Sequence, residues 1–398
     1  MRIHKMIVLL FFISTSPSLT CAGDWPQILG PHRDGRAENE KLADGWPKGG
    51  PAVAWKKPLG QGYAGVAVVG KVGVVYHREG DVDVAEAFSV ADGKPVWTKT
   101  FPTTFVAQVS QDSGPRCVPV IDGGHVYLFS SQGVLRCLSF KSGDVIWERK
   151  THEDYKAREG YFGAGSTPIV VGDKVIVNVG GDRQEAGVVA FSTKTGETIW
   201  KALKEQPSYS APILVKKSGV PHLIVITRLS VASLDPETGA VRFSFPFGQT
   251  GPTVNAASPV VLSSGELLLT ASYGIGAVLS NFDDRTVTET WSSDDILSSQ
   301  YSTPIEYQGA VYGLDGRQDG GQSTLRCFDP LSQKIHWSAP APGYLTMILA
   351  DDKLIAVTAQ GEVLLISPNQ EAFKVLGKFK LFNGNDRDPC SLPALSNG

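Results

Sequence analysis

Reading the chain at one fixed register picks out an unusual set of side chains. Three residues before a recurring proline, or before the residue standing in its place, lie Tyr63, Arg116, Gly165, Tyr209, Ala256, Tyr301, Tyr344 and Cys390. Tyrosine brings a flat apolar ring with a hydroxyl, and arginine a planar guanidinium with five donors. Together they suit a sugar, a quinone, a carboxylate or a peptide segment. Asn255, one position earlier in its unit, and Tyr161 and Phe162, just before Gly165, extend the set. The chemistry they offer is recognition; none is marked as a catalytic acid, base or nucleophile. A purely structural alternative has the tyrosines filling a channel and Arg116 satisfying backbone carbonyls.

Other residues that do chemistry elsewhere are not arranged for it here. The carboxylate pairs Asp283–Asp284, Asp294–Asp295 and Asp351–Asp352 sit in polar stretches where hairpin turns are expected, without the ladder of oxygen ligands of a calcium loop. The histidines are scattered over different units with no metal-ligand spacing, so no metal site is assigned. The run GIGA at 274–277 has half of a dinucleotide fingerprint and no helix after it. No G-x-S-x-G nucleophile elbow occurs.

What must position the tyrosines and Arg116 is a repeat. The phrase AFSVADGKPVW, Ala87 to Trp97, returns as Cys137 to Trp147 and Ala190 to Trp200, then as Ser233 to Phe243 and Cys327 to Trp337. A worn copy ends at Trp291, and a barely legible one starts at Leu365. A second mark is a proline entering an apolar strand, at Pro119, Pro168, Pro212, Pro259, Pro304 and Pro393, with Val66 and Met347 where the proline is missing. These eight starts lie 43 to 53 residues apart, a period that means a stacked or closed array. Between the marks, β-branched runs alternate with turn residues, as in the GD pair between Ile169–Val171 and Lys174–Val179.

Four strands fit each unit. A sheet of that size buries both faces only against neighbours, and closing the ring gives every sheet two. The expected fold is therefore all-β, a β-propeller of four-stranded blades, nominally eight. Trp97, Trp147, Trp200, Trp291 and Trp337 are expected as anchors docked between adjacent blades, with the small residue leaving space. Trp55 has no strand start before it and reads as the outer strand of the last blade, supplied from the N-terminus. The three inner strands should then follow Ser391, where only SLPALSNG is present. The last blade is thus expected to be incomplete, through a two-strand gap, a truncated sequence, or a seven-bladed ring with a tail.

The 37 basic and 40 acidic residues balance closely, with no block of one sign. Neither nucleic acid nor an anionic membrane surface is an expected partner. No apolar run reaches the roughly 20 residues that cross a bilayer. Arg2 and Lys5, the apolar run Met6 to Ile13 and a small-residue site at Thr20–Ala22 form a signal peptide over 1–22. Residues 23–398 then make one propeller domain, exported to the periplasm or cell surface; Cys21 offers acylation as a lipoprotein as the alternative. Cys117, Cys137, Cys327 and Cys390 have no metal-knuckle spacing and read as small buried residues.

The spacing of small residue, turn glycine and tryptophan resembles the tryptophan-docking motif of quinoprotein propellers. The segment DWPQILGPHRDG, Asp24 to Gly35, followed by Trp46 to Trp55, resembles the opening of exported bacterial PQQ-like repeat proteins, a group often likened to the assembly lipoprotein BamB. The resemblance implies the fold firmly. It implies two functions: a rigid BamB-type platform for a protein, small ligand or glycan, with no cofactor, or a dehydrogenase using pyrroloquinoline quinone (PQQ) and Ca²⁺ on an alcohol or sugar. The chain has no adjacent cysteine pair and none of the long insertions that cap such dehydrogenases. The expectation is a monomeric, non-enzymatic binding propeller with its ligand at the mouth lined by Tyr63, Arg116, Tyr209, Asn255, Tyr301 and Tyr344.

Overall fold

The computed structural model describes residues 23–382 and 391–397. The leader expected over 1–22, the acylation alternative at Cys21 and the register position Cys390 lie outside the described residues. Seven four-stranded antiparallel sheets follow one another, each wound from first to fourth strand in chain order. They are blades 1 to 7, at 67–102, 120–150, 169–202, 213–246, 260–293, 305–340 and 345–380. The β-propeller expected from the period is present, with seven complete blades among the described residues.

Burial explains why these runs become these strands. A second strand has a blade on either face, so Lys174–Gly181 and Leu267–Ala271 are buried along their whole length. A fourth strand lies at the rim, where Val145–Lys150 buries Trp147 and exposes most of the rest.

The repeated phrase has one geometry throughout. Its small residue pairs directly with its tryptophan across the third and fourth strands: Ala87 with Trp97, Cys137 with Trp147, Ala190 with Trp200 and Cys327 with Trp337, each followed by a bulge. The indole then crosses to the next blade. Trp97 Nε1 donates to Phe140 O at 2.9 Å, Trp147 to Thr193 O at 2.9 Å, Trp200 to Pro236 O at 3.1 Å, Trp291 to Pro330 O at 2.8 Å and Trp337 to Asn369 O at 2.9 Å. The turn glycine is required twice over. Gly143 has φ +72°, and a Cβ there would lie 2.6 Å from Trp97; Gly196 and Gly239 repeat this beneath Trp147 and Trp200. The thiols of Cys137 and Cys327 are free, and burial pushes them up to about 12 and about 11. They serve as small apolar residues.

Blade 7 departs from the phrase. Gly377 stands opposite Leu365, where the other blades carry an aromatic ring. The vacated space is filled from outside the blade by Trp46, whose Cβ lies 3.1 Å from the position of a Cβ on Gly377 and whose ring meets Phe379 edge-on at 5.2 Å.

The stretch from Trp25 to Ala37, read in the sequence only as a family likeness, crosses the ring of inner strands. Trp25 exchanges backbone hydrogen bonds with Val68, Pro26 O accepts from Ile121 N, and Gly35 and Ala37 pair with Leu349. Arg33 reaches furthest. Its guanidinium donates to the carbonyls of Thr167, Pro168 and Pro212 and to Gln27 Oε1, and it is 3% exposed. Burial pulls it down to about 9, still a cation at neutral pH.

Candidate functional site

In blades 2 to 6 the inner strand begins just after the recurring proline and in blade 1 just after Val66, whereas in blade 7 it begins at Leu345, next to Tyr344. Backbone and phenol groups lock neighbouring blades together near these starts. Pro115 O accepts from Tyr63 N and Ala64 N, and Asn255 O accepts from Tyr209 N and Ser210 N. Tyr344 Oη accepts from Tyr301 N at 2.8 Å and Ser302 N at 3.0 Å.

Arg116 is the centre of the larger contact group. Its guanidinium lies 5.1 Å from the Tyr63 ring centroid and 5.3 Å from that of Phe162, a cation held between two π faces. It also donates to Gly114 O and Asp112 O, both at 2.8 Å. Thus Arg116 braces carbonyls, as the structural alternative has it, while lying close to two aromatic rings. Phe162 passes the contact on: its N–H donates to Tyr209 Oη at 2.9 Å and its ring meets Tyr209 edge-on at 5.6 Å. Tyr301 and Tyr344 form the second contact group, with centroids 4.4 Å apart.

The six expected mouth residues divide by exposure. Tyr63, Arg116, Tyr209 and Tyr301 are half-buried. Asn255 is 1% exposed and Tyr344 4%. The Asn255 amide donates to three carbonyls, those of Thr227, Arg228 and Phe247, so both side chains brace the ring from behind. Burial pushes the Tyr209 and Tyr344 phenols up to about 12, so they remain protonated at neutral pH and offer a ring and a hydroxyl, never a base. Burial also lowers Arg116, opposed by the nearby Asp112 charge.

Beside Tyr209 opens a cleft of about 600 Å³ that the register did not single out. Its walls come from loops around blades 2 to 5, including Gln108, Arg158, Tyr161, Asp182, Glu205 and Arg228. Tyr161 could be found in the sequence because it precedes a register position. The others could not, because loop residues carry no periodicity.

Four of the carboxylates set aside earlier have structural work. Asp283 accepts from the backbone of Arg285 and Thr286 in a turn, Asp284 pairs with Arg242, and Asp352 accepts from Tyr307 Oη. Asp351 accepts from Leu42 N and Lys41, which pull it down to about 2. Among the described residues no three His, Cys, Asp or Glu side chains converge as metal ligands would.

Three comparisons bear on this geometry. The family model described as outer membrane protein assembly factor BamB matches residues 47–223 and 184–318, more than half of the chain. No curated protein sequence matches it. Among solved structures, BamB from Moraxella catarrhalis superimposes with TM-score 0.56 and 16% identity, over 79% of this chain and 84% of that one. The quinohemoprotein alcohol dehydrogenase ADHIIG from Pseudomonas putida HK5 gives 0.64 and 13%, over 91% and 73%. A europium-containing methanol dehydrogenase gives 0.63 and 13%, over 91% and 86%. At these identities the likeness is one of fold. The docked tryptophans, the array of seven four-stranded blades and the family match together place the chain in the BamB-like family of PQQ-like β-propeller repeat proteins.

Proposed function

We propose that this protein is an exported, monomeric, non-enzymatic propeller that holds a protein segment or glycan at the mouth lined by Tyr63, Arg116, Tyr209 and Tyr301. The observation that carries the reading is Arg116 held between the Tyr63 and Phe162 rings. A planar cation flanked by half-exposed aromatic rings, on a scaffold of inner strands, is a preorganised recognition surface. The cleft beside it adds room and a mixture of charges, with Arg158, Arg228, Asp182 and Glu205 all in its lining. Export rests on the leader pattern at 1–22.

The dehydrogenase reading is weaker for a reason of donor chemistry. A quinone–cation centre needs oxygen ligands converging on one ion. The carboxylate of Asp112, whose backbone carbonyl Arg116 takes, accepts instead from the backbone N–H of Gly62 and Gly114, both at 2.9 Å. Arg116 takes the carbonyls of Asp112 and Gly114. These residues do not fit such a centre.

Two assays separate the readings. Titration with PQQ, with and without Ca²⁺, followed by tryptophan fluorescence, is expected to give no saturable change; Ca²⁺-dependent saturation would restore the dehydrogenase. Peptide and glycan arrays probed with the wild-type chain are expected to retain ligands that the Tyr209→Ala/Tyr301→Ala variant loses. Undiminished capture by a folded double variant would sink the mouth reading.

A further inference from the structure

The charged side chains lining the cleft beside Tyr209 cancel one another: Arg158, Lys204 and Arg228 against Glu159, Asp182 and Glu205. The cations are already engaged. Lys204 pairs with Glu185 at 2.7 Å, Arg158 stands 4.0 Å from Asp182, and Arg228 donates to Thr253 Oγ1 at 2.8 Å and to Gly251 O. Of the carboxylates, Asp182 accepts from Arg183 N and Glu205 from Thr227 Oγ1. A phosphate or carboxylate ligand would find no uncommitted cation here. Nor do three carboxylates converge as a metal would require among the described residues.

What the cleft leaves free is neutral and can both give and accept. Gln108 and Gln206 are fixed by their backbones, Gln108 N donating to Tyr161 O at 3.1 Å and Gln206 O accepting from Arg228 N at 3.0 Å. Their side-chain amides make no hydrogen bond among the described residues. Asn255 adds an acceptor in the wall. Its amide nitrogen is spent on three carbonyls, and turning the group over would set oxygen against oxygen. Oδ1 is therefore held in place, buried and without a partner among the described residues. A buried acceptor of that kind calls for a donor. Tyr161 and Tyr209, both half-buried, supply the rings.

A saccharide matches this inventory. Its hydroxyls both donate and accept, as amides do, its C–H faces lie flat on tyrosine rings, and it brings no charge to be paired. An extended peptide matches it less well. It uses a row of main-chain partners and apolar pockets at alternate positions, whereas Leu229 is the one large aliphatic side chain exposed in this lining. The volume of about 600 Å³ falls inside the ~300–1,000 Å³ usual for a small-molecule site.

We propose that the cleft is a subsite for a short neutral saccharide, with Tyr161 and Tyr209 meeting its ring faces and Gln108, Gln206 and Asn255 its hydroxyls. The inference rests on the mouth reading, whose Tyr209 it shares, and narrows that reading to a glycan.

The test is saturation-transfer-difference NMR on the full chain. Cellobiose, maltose and chitobiose are the neutral probes; glucose phosphate and trialanine, at the same concentration, are the comparators. Saturable transfer to the ring protons of at least one neutral disaccharide is expected, with none to either comparator. Gln206→Met keeps the length of the side chain and removes the amide, and Tyr161→Ala removes a ring; each should weaken sugar binding at least ~10-fold. The wild-type selectivity stands even if a variant misfolds. Equal or stronger transfer to trialanine or glucose phosphate overturns the proposal, and so does sugar binding that both folded variants leave unchanged, because the sugar then sits elsewhere. No transfer to any of the sugars, alongside array capture of peptides that Tyr301→Ala abolishes, overturns the saccharide subsite and leaves the mouth reading standing. Capture of nothing by the wild-type chain on arrays or in solution sinks both.

Discussion

The two levels of the propeller's inner strands spend their side chains differently. Two to five residues past the mouth register, about 7–17 Å along extended chain, the crossing segment ties the inner strands: Arg33 on three carbonyls and Gln27, Trp25 on Val68, Gly35 and Ala37 on Leu349. At the mouth, Tyr63, Arg116, Tyr209 and Tyr301 keep half-exposed faces. One level fixes the ring, and the other is left with surface to offer. A ring tied at one level can vary side chains at the other without losing closure, which is the condition for grafting recognition onto a repeat fold.

If that division is right, substitutions at the tied level should cost stability and those at the mouth should not. The largest effect is expected for Arg33→Ala, which leaves several buried carbonyls without donors. We expect a loss of about 3–5 kcal/mol in chemical denaturation; a loss below about 1 kcal/mol would mean that the crossing segment does not hold the ring. Trp97→Ala should follow, at about 3–4 kcal/mol, by opening a cavity between two complete blades. Trp55→Ala should cost about half as much, since its side chain is half-buried and no small residue pairs with it. Equal losses for the two tryptophans would show that the paired small residue adds nothing to the dock.

Much of this architecture was legible because repetition multiplies weak signals. One small residue ten positions before a tryptophan means little, but the same spacing at Ala87, Cys137, Ala190 and Cys327 defines a third and fourth strand each time. The register also found the half-exposed mouth residues, since the proline fixes where each inner strand starts. What it missed occurs once. Arg33 and Trp46 act through long-range contacts that no period announces, and Gly377 looks like a decayed copy until Trp46 is seen filling its space. Asn255 and Tyr344 sit at or beside the register like the others, yet burial gives them to the backbone, and a pattern of residue types does not say which face a side chain shows.

A pH-dependent effect of about 3 kcal/mol is expected as well. His152 in the short helix Thr151–Tyr155 packs edge-on against Phe129, and neither ring nitrogen has a partner. Burial lowers it from 6.5 to about 4. The unfolded chain therefore binds more protons than the folded one between these values, so stability is full above pH 6.5 and falls as pH drops towards 4. His152→Leu should remove that slope, read as the melting temperature between pH 7 and pH 4. An unchanged slope would place the acid sensitivity elsewhere, for instance at His77 or His222, which burial also lowers.

The smallest expected stability change lies at the mouth and discriminates most sharply. Tyr209→Phe keeps the ring that meets Phe162 and removes only the oxygen that accepts from Phe162 N. That should cost about 1 kcal/mol. It should nonetheless loosen Phe162, and with it one of the two rings that hold Arg116. Hydrogen exchange at Phe162 should rise while the amides of the Trp25 to Ala37 segment stay protected. Faster exchange at both levels would mean that the mouth also holds the ring closed. Faster exchange at Phe162 alone would mean that the recognition surface can be tuned through single hydrogen bonds on a scaffold secured elsewhere.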